Sequence, residues 1–147
     1  LALAHAQVGQ WKEAIDCYDR VLRMVPHHAR THYNRARALE GAGRGAEAQA
    51  AYEQASELDP TVPTYAMRAG LAALQAGAYE KAVIGFRRAI EIDPNSAAAH
   101  KALGVVLFEI LGRREEGRPH LERALALNPQ IPDAERMRAL LGSPATP

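Results

Sequence analysis

Four glycines and four prolines keep one beat along this chain. Gly9, Gly43, Gly77 and Gly112 are separated by 34, 34 and 35 residues, and Pro26, Pro60, Pro94 and Pro129 by the same three intervals. Glycine reaches backbone conformations that other residues avoid, and proline ends a helical ladder, so a period shared by both marks a repeated structural unit. Between glycine and proline the copies read alike: Gly9 to Tyr18 (GQWKEAIDCY), Gly43 to Tyr52 (GRGAEAQAAY) and Gly77 to Phe86 (GAYEKAVIGF), with Gly112 to Leu121 a looser fourth. A small residue followed four places later by a large apolar one puts both on one helix face. The pairs are Ala14 with Tyr18, Ala48 with Tyr52, Ala82 with Phe86, and Gly117 with Leu121. The endings Leu58-Asp59-Pro60, Ile92-Asp93-Pro94 and Leu127-Asn128-Pro129 stop a helix, because proline pushes its predecessor out of helical geometry. Each period therefore reads as helix, turn, helix, stop.

The pattern resembles the tetratricopeptide repeat, whose small, aromatic and proline places match Ala48, Tyr52 and Pro60, or Ala82, Phe86 and Pro94, over roughly residues 1–130. The resemblance implies an all-α fold: tetratricopeptide-type antiparallel hairpins stacked in a right-handed superhelix, an α-solenoid. The spans predicted are a truncated first repeat at 1–28, repeats at 29–62, 63–96 and 97–131, a capping helix at 132–141 and a loose tail at 142–147. The chain begins at Leu1 inside a helical pattern, which reads as a cut array that continues N-terminally. In the fourth repeat one extra residue lies between Gly104 and Gly112, which predicts a bulged or lengthened end to its first helix. Pro119 early in the next helix predicts a late start or a mild kink. After Pro132, Asp133 to Leu141 reads as a helix with Glu135, Arg136 and Arg138 on its outer face, covering the last apolar edge.

Composition narrows the function classes. A chain of 147 residues holds one short stack and no second enzyme domain. With 18 basic and 17 acidic residues the net charge is +1, so no global field draws it to nucleic acid or an anionic membrane, and neither is an expected partner. Cys17 is the only cysteine, which excludes an internal disulfide and a multi-cysteine zinc framework. No run of about 18 apolar residues and no export signal is present, so a cytoplasmic location is expected.

The resemblance assigns the first helix of each hairpin to a concave face. On the second copy His32, Ala36 and Leu39 form one stripe, and Arg30, Tyr33, Asn34, Arg37 and Gly41 another, which the resemblance turns to the groove. One repeat on stand Thr64, Met67, Arg68, Leu71 and Gln75, then Ala98, Lys101, Ala102 and Val105; Leu3, Ala6 and Gln7 are the remnant of the first copy. Asn34 and Arg68 hold equivalent places. A carboxamide clamps a peptide backbone and a guanidinium holds a carboxylate, and both resemble part of the clamp by which tetratricopeptide co-chaperones hold a chaperone's C-terminal carboxylate. The rest of that clamp is altered, with Leu3 where a second asparagine is expected and Thr64 where a lysine is expected. Arg30, Arg37, Arg68 and Lys101 outweigh Glu40 and Glu109, which points to an acidic segment or a free C-terminus, helped by apolar contacts to Tyr33, Met67, Leu71 and Val105.

Other signals are weaker. His27, His28 and His32 cluster near a loop, yet no cysteine or carboxylate completes a metal set, so no metal or cofactor is expected. His5, His100 and His120 read as lying in separate repeats, explained by packing or exposure. Ser56, Ser96 and Ser143 pair with no histidine and acid, so a hydrolase has no support. Gly41-Ala42-Gly43-Arg44-Gly45 lacks the strand before it and the lysine and hydroxyl ending of a phosphate loop. The function expected is a non-enzymatic protein-interaction scaffold. The alternatives are a substrate-recruiting arm of a larger enzyme, and self-association through an N-terminal edge carrying Leu1, Leu3 and Val8.

Overall fold

Each glycine of the period sits in left-handed backbone, with φ of +76° at Gly9, +74° at Gly43, +73° at Gly77 and +67° at Gly112. Glycine takes this conformation at no steric cost and so turns the chain sharply at a helix end. The following residue donates back across the turn: Gln10 N–H to His5 O (2.9 Å), Arg44 N–H to Leu39 O (2.8 Å) and Ala78 N–H to Ala73 O (2.8 Å).

The structure, a computed structural model, describes residues 2–7 and 9–142. Its helices are α1 (Ala2–Gln7), α2 (Trp11–Met24), α3 (Ala29–Gly41), α4 (Gly45–Leu58), α5 (Pro63–Gln75), α6 (Tyr79–Ile92), α7 (Ala97–Val105), α8 (Arg114–Leu127) and α9 (Ala134–Gly142), with a π-helical turn (Val106–Ile110) between α7 and α8. Among the described residues there is no strand, and no helix is long and apolar enough to cross a membrane. Consecutive helices pack on one another throughout, α3 on α4, α5 on α6 and α7 on α8 within hairpins, and α4 on α5 and α6 on α7 between them. This is an α-solenoid, in which each unit buries its apolar face only against its neighbours.

Helix spacing follows from the small residues. Ala14, Ala48 and Ala82 are buried together with Tyr18, Tyr52 and Phe86 four residues on, and Gly117 with Leu121. Between α5 and α6 the contact is backbone on backbone: a Cβ added at Gly85 would stand 2.7 Å from both Cα and N of Gly70, and one at Gly70 would stand 2.7 Å from the Phe86 ring.

The fourth hairpin is built differently. Its extra residue is taken up in the π turn, where Leu111 N–H donates to Val106 O (3.0 Å), and Arg113 N–H reaches Leu107 O (2.7 Å), one residue farther back than in the other three turns. The predicted late start at Pro119 is overturned: α8 runs from Arg114 with Pro119 inside it. Proline removes one ladder bond, to Glu115 O, and both residues lie on the exposed face, where water takes up the freed carbonyl. After Asp133, itself at φ +68°, α9 lays Ala134 and Met137 beside Ile131 over Phe108, Leu121 and Ala124, while Glu135, Arg136 and Arg138 are exposed. Of the expected tail only Gly142 lies within the described residues.

The reading of His100 and His120 as residues of separate repeats is also overturned. They face each other across α7 and α8, Nδ1 to Nδ1 at 3.0 Å with rings stacked at 5.3 Å, and His100 Nε2–H donates to Pro94 O at 3.1 Å. That donation leaves His100 Nδ1 as the acceptor and His120 Nδ1–H as the donor when both rings are neutral. Burial first, then His100, then Arg87 hold His120 below the ordinary histidine value, with Glu116 opposing. The equivalent second-helix places are Cys17, Ala51 and Gly85, so only this hairpin carries the pair.

Two outcomes follow from this packing. Gly85→Ala should destabilise the chain by about 1–3 kcal/mol, because the added methyl meets backbone that cannot rotate away. Gly45→Ala, with open space around it, should be neutral or stabilising by roughly 0.5–1 kcal/mol. Urea unfolding of both variants checks this, and equal effects would contradict it. For His120, a folded-state value below the unfolded one means the unfolded chain binds more protons. Stability is then complete above the ordinary histidine value near 6.5 and falls as pH drops through it. In His120→Ala, which installs the residue present at Ala51, unfolding midpoints between pH 7.5 and 5.5 should fall less steeply than in the parent chain.

Candidate functional site

Residues of α1, α3 and α5, the first helices of three hairpins, meet in one cleft with two side chains of α2. On α3, Asn34, Arg37, Ala38 and Gly41 follow helical spacing along one stripe, and Arg68 of α5 stands beside them one repeat on. These residues share a cleft of about 450 Å³ with Leu3 and Ala6 of α1, Trp11 and Tyr18 of α2, and Glu40. Its lining combines apolar and aromatic side chains with a carboxamide, two guanidiniums and one carboxylate. A second recess of about 670 Å³, mostly apolar, shares Leu3, Tyr18 and Asn34 with the first and adds Cys17, Val21, His28 and Arg30. The two form one trench along α1 and α3.

Charge in the trench is not cancelled internally. Among the described residues no carboxylate lies within 4 Å of Arg30, Arg37 or Arg68, whereas Arg35, on another face of α3, is paired with Asp19 at 2.6 Å. Among the described residues Glu40 forms no ion pair with either cleft arginine and accepts from Tyr52 Oη at 2.9 Å. Burial, then the bond to Glu40, push the Tyr52 hydroxyl far above its ordinary value, with Arg68 opposing. Tyr52 therefore remains a donor throughout the physiological range.

The sequence-derived set divides. Asn34, Arg37 and Arg68 meet in the cleft, and Arg30 stands in the adjoining recess. Thr64 and Met67 line, with Arg68, a shallow depression of about 190 Å³ beside Asp93 and Ser96. Leu71 packs toward the α6 and α7 core, and Val105 toward Phe108 and the capping helix. Tyr33 is not a free groove contact. It is half-buried, edge-on to Tyr52 (5.6 Å between centroids) and tilted over Tyr65 (4.9 Å), so it joins α3 to α4 and α5.

Lys101 and Glu109 leave the groove altogether. Lys101 Nζ donates to Asp133 Oδ2 at 2.8 Å and to Pro132 O at 3.0 Å, and Glu109 pairs with Arg136. The segment entering α9 partners Lys101 and α9 itself partners Glu109, and the two charges are spent pinning the cap. Of the proposed self-association edge, Leu1 and Val8 lie outside the described residues, while Leu3 is 55% exposed.

Trp11 and Tyr18, absent from the groove set read from the sequence, also line the cleft. The available signal was Gly41, in the last turn of α3 where the next copy has Gln75. A Cβ there would stand 2.7 Å from the Trp11 indole, so the missing side chain lets the ring lie against the helix next to Glu40.

Comparisons with known proteins agree with this architecture. Two family models, both described as tetratricopeptide repeat, match residues 1–61 and 33–97, and together run over residues 1–97. The chain is 30% identical over 90 residues to the small glutamine-rich tetratricopeptide repeat-containing protein 2 of Mycosarcoma maydis, covering 61% of this chain and 26% of that protein. It is 32% identical over 108 residues to the tetratricopeptide repeat and J domain-containing co-chaperone DNJ1 of Cryptococcus neoformans, covering 65% of this chain and 20% of that protein. It thus spans about a quarter or less of these relatives. Among solved structures, a crystal structure of MamA superposes with a TM-score of 0.87 at 20% identity, covering 96% of this chain and 82% of the other; this likeness bears on the fold. On matching repeat models and on hairpins that repeat the same turn and the same small-to-large packing pair, the chain belongs to the tetratricopeptide repeat family.

Proposed function

We propose that this interaction scaffold works without chemistry of its own, by holding the free C-terminal end of a partner protein in the trench along α1 and α3. The observation that carries the reading is the meeting of Asn34 and Arg68, from adjacent repeats, in one cleft with Arg37, no guanidinium there being neutralised. Asn34 can donate to and accept from the partner's backbone, while Arg37 and Arg68 supply forked donors to a carboxylate. The apolar lining of Leu3, Ala6, Trp11 and Tyr18 takes a neighbouring side chain, which matters because exposed ion pairs alone contribute little. The co-chaperone name of one relative is in keeping with this reading. The J domain in that relative's name favours a second reading in which the array recruits substrates to a larger machine.

The test compares a peptide with a free C-terminus and its amidated form by fluorescence anisotropy. The free acid should bind more tightly, and Asn34→Ala with Arg68→Ala should remove the difference. Loss of one charge-assisted hydrogen bond costs roughly 1.5–3 kcal/mol, so affinity for the acid should fall about tenfold to a hundredfold. The melting temperature should move little, since such surface changes alter stability by about 0.5 kcal/mol or less. Undiminished binding in the double variant would place the site elsewhere.

A further inference from the structure

The cleft holds one group that a simple anion site would not contain. Glu40 lines it together with Asn34, Arg37 and Arg68, and is set three residues after Arg37 on the same helix. That spacing suits an ion pair, which would cancel the cleft's charge. No such pair forms among the described residues. Oε2 of Glu40 is instead held from behind by the Tyr52 hydroxyl, 2.9 Å away, on a side chain with no exposed surface whose ring is fixed edge-on by Tyr33. Oε1 of Glu40 takes no partner among the described residues. The anchor holds one oxygen of Glu40 at Tyr52 while Arg37, three residues before it, pairs with no carboxylate among the described residues, although flexible side chains at this spacing would otherwise collapse on one another.

What lies beside that negative end is aromatic. The Trp11 indole rests against Gly41, the next residue on α3, because glycine leaves the space, and Tyr18 lines the same cleft. A carboxylate next to aromatic rings attracts a cationic side chain, through charge and through the rings' negative faces. The same carboxylate repels an acidic side chain brought to that place.

We propose that Glu40, anchored by Tyr52, makes the cleft bipolar, so that it selects C-terminal segments carrying a lysine or arginine among their last few residues and discriminates against acidic ones. This rests on the C-terminus reading of the same cleft and decides between its two forms: one terminal carboxylate at Arg37 and Arg68, not a run of acidic residues.

The test uses fluorescein-labelled octapeptides of glycine, serine and alanine with a free C-terminal leucine, differing only by lysine, alanine or glutamate at each of the three preceding positions. Binding is read by anisotropy at fixed ionic strength. At one or more positions the parent chain should prefer lysine over glutamate by about five- to tenfold. In Glu40→Gln, which keeps an acceptor for the Tyr52 hydroxyl, the ratio should collapse toward one, and in Glu40→Lys it should invert. Unchanged melting of Glu40→Gln would show that the hairpin is intact. If the free acids bind and Asn34→Ala with Arg68→Ala abolishes this, yet lysine and glutamate peptides bind alike, the selectivity inference alone is overturned. If amidation makes no difference and the double variant is silent, the C-terminus reading fails and this inference with it.

Discussion

The stack depends on helices that approach to backbone contact. Gly85 against Gly70 is the clearest case, since a single methyl at Gly85 would overlap main-chain atoms. Ala14, Ala48 and Ala82 serve the same purpose in the first three hairpins, each with a large partner four residues on that fills the space beside the contact. Close approach in every hairpin brings the first helices of successive repeats side by side. Only then do Asn34 on α3 and Arg68 on α5 border one cleft. The site is thus a consequence of buried small residues that do not themselves line it.

The fourth hairpin departs from this plan, and the departures lie together. An extra residue becomes a π turn, a histidine pair stands where the third hairpin has Ala66 and Gly85, and Lys101 and Glu109 are tied to the segment forming α9. The two ion pairs tie the hairpin to the cap over the array's apolar edge, while the histidine pair joins α7 to α8. Of the cations read from the sequence as groove residues, those left without a carboxylate partner among the described residues, Arg30, Arg37 and Arg68, belong to α3 and α5, so the candidate site occupies the N-terminal half of the stack.

Much of the architecture was legible in the period of the glycines and prolines, because a left-handed turn and a helix stop are properties of single residue types. Equivalent places one repeat apart also sufficed to put Asn34 beside Arg68. The remainder depended on tertiary choices that helical spacing does not encode. Tyr33 lies on the groove stripe yet is claimed by the rings of Tyr52 and Tyr65. Lys101 lies on it too, but Asp133, distant in sequence, reaches it first. The pairing of His100 with His120 was hidden because each was weighed alone, although both fall in the span predicted for one repeat.

The cleft between α1, α3 and α5 is the proposed seat of a partner's end. Backbone amide shifts of the isotope-labelled chain, followed by NMR during titration with a free-acid peptide bearing lysine near its C-terminus, test this most directly. The largest changes should fall on Asn34, Arg37, Glu40, Gly41 and Arg68, fading along α7. Changes centred instead on the outer surface of α4 and α6, around the exposed Ile84, would contradict the account.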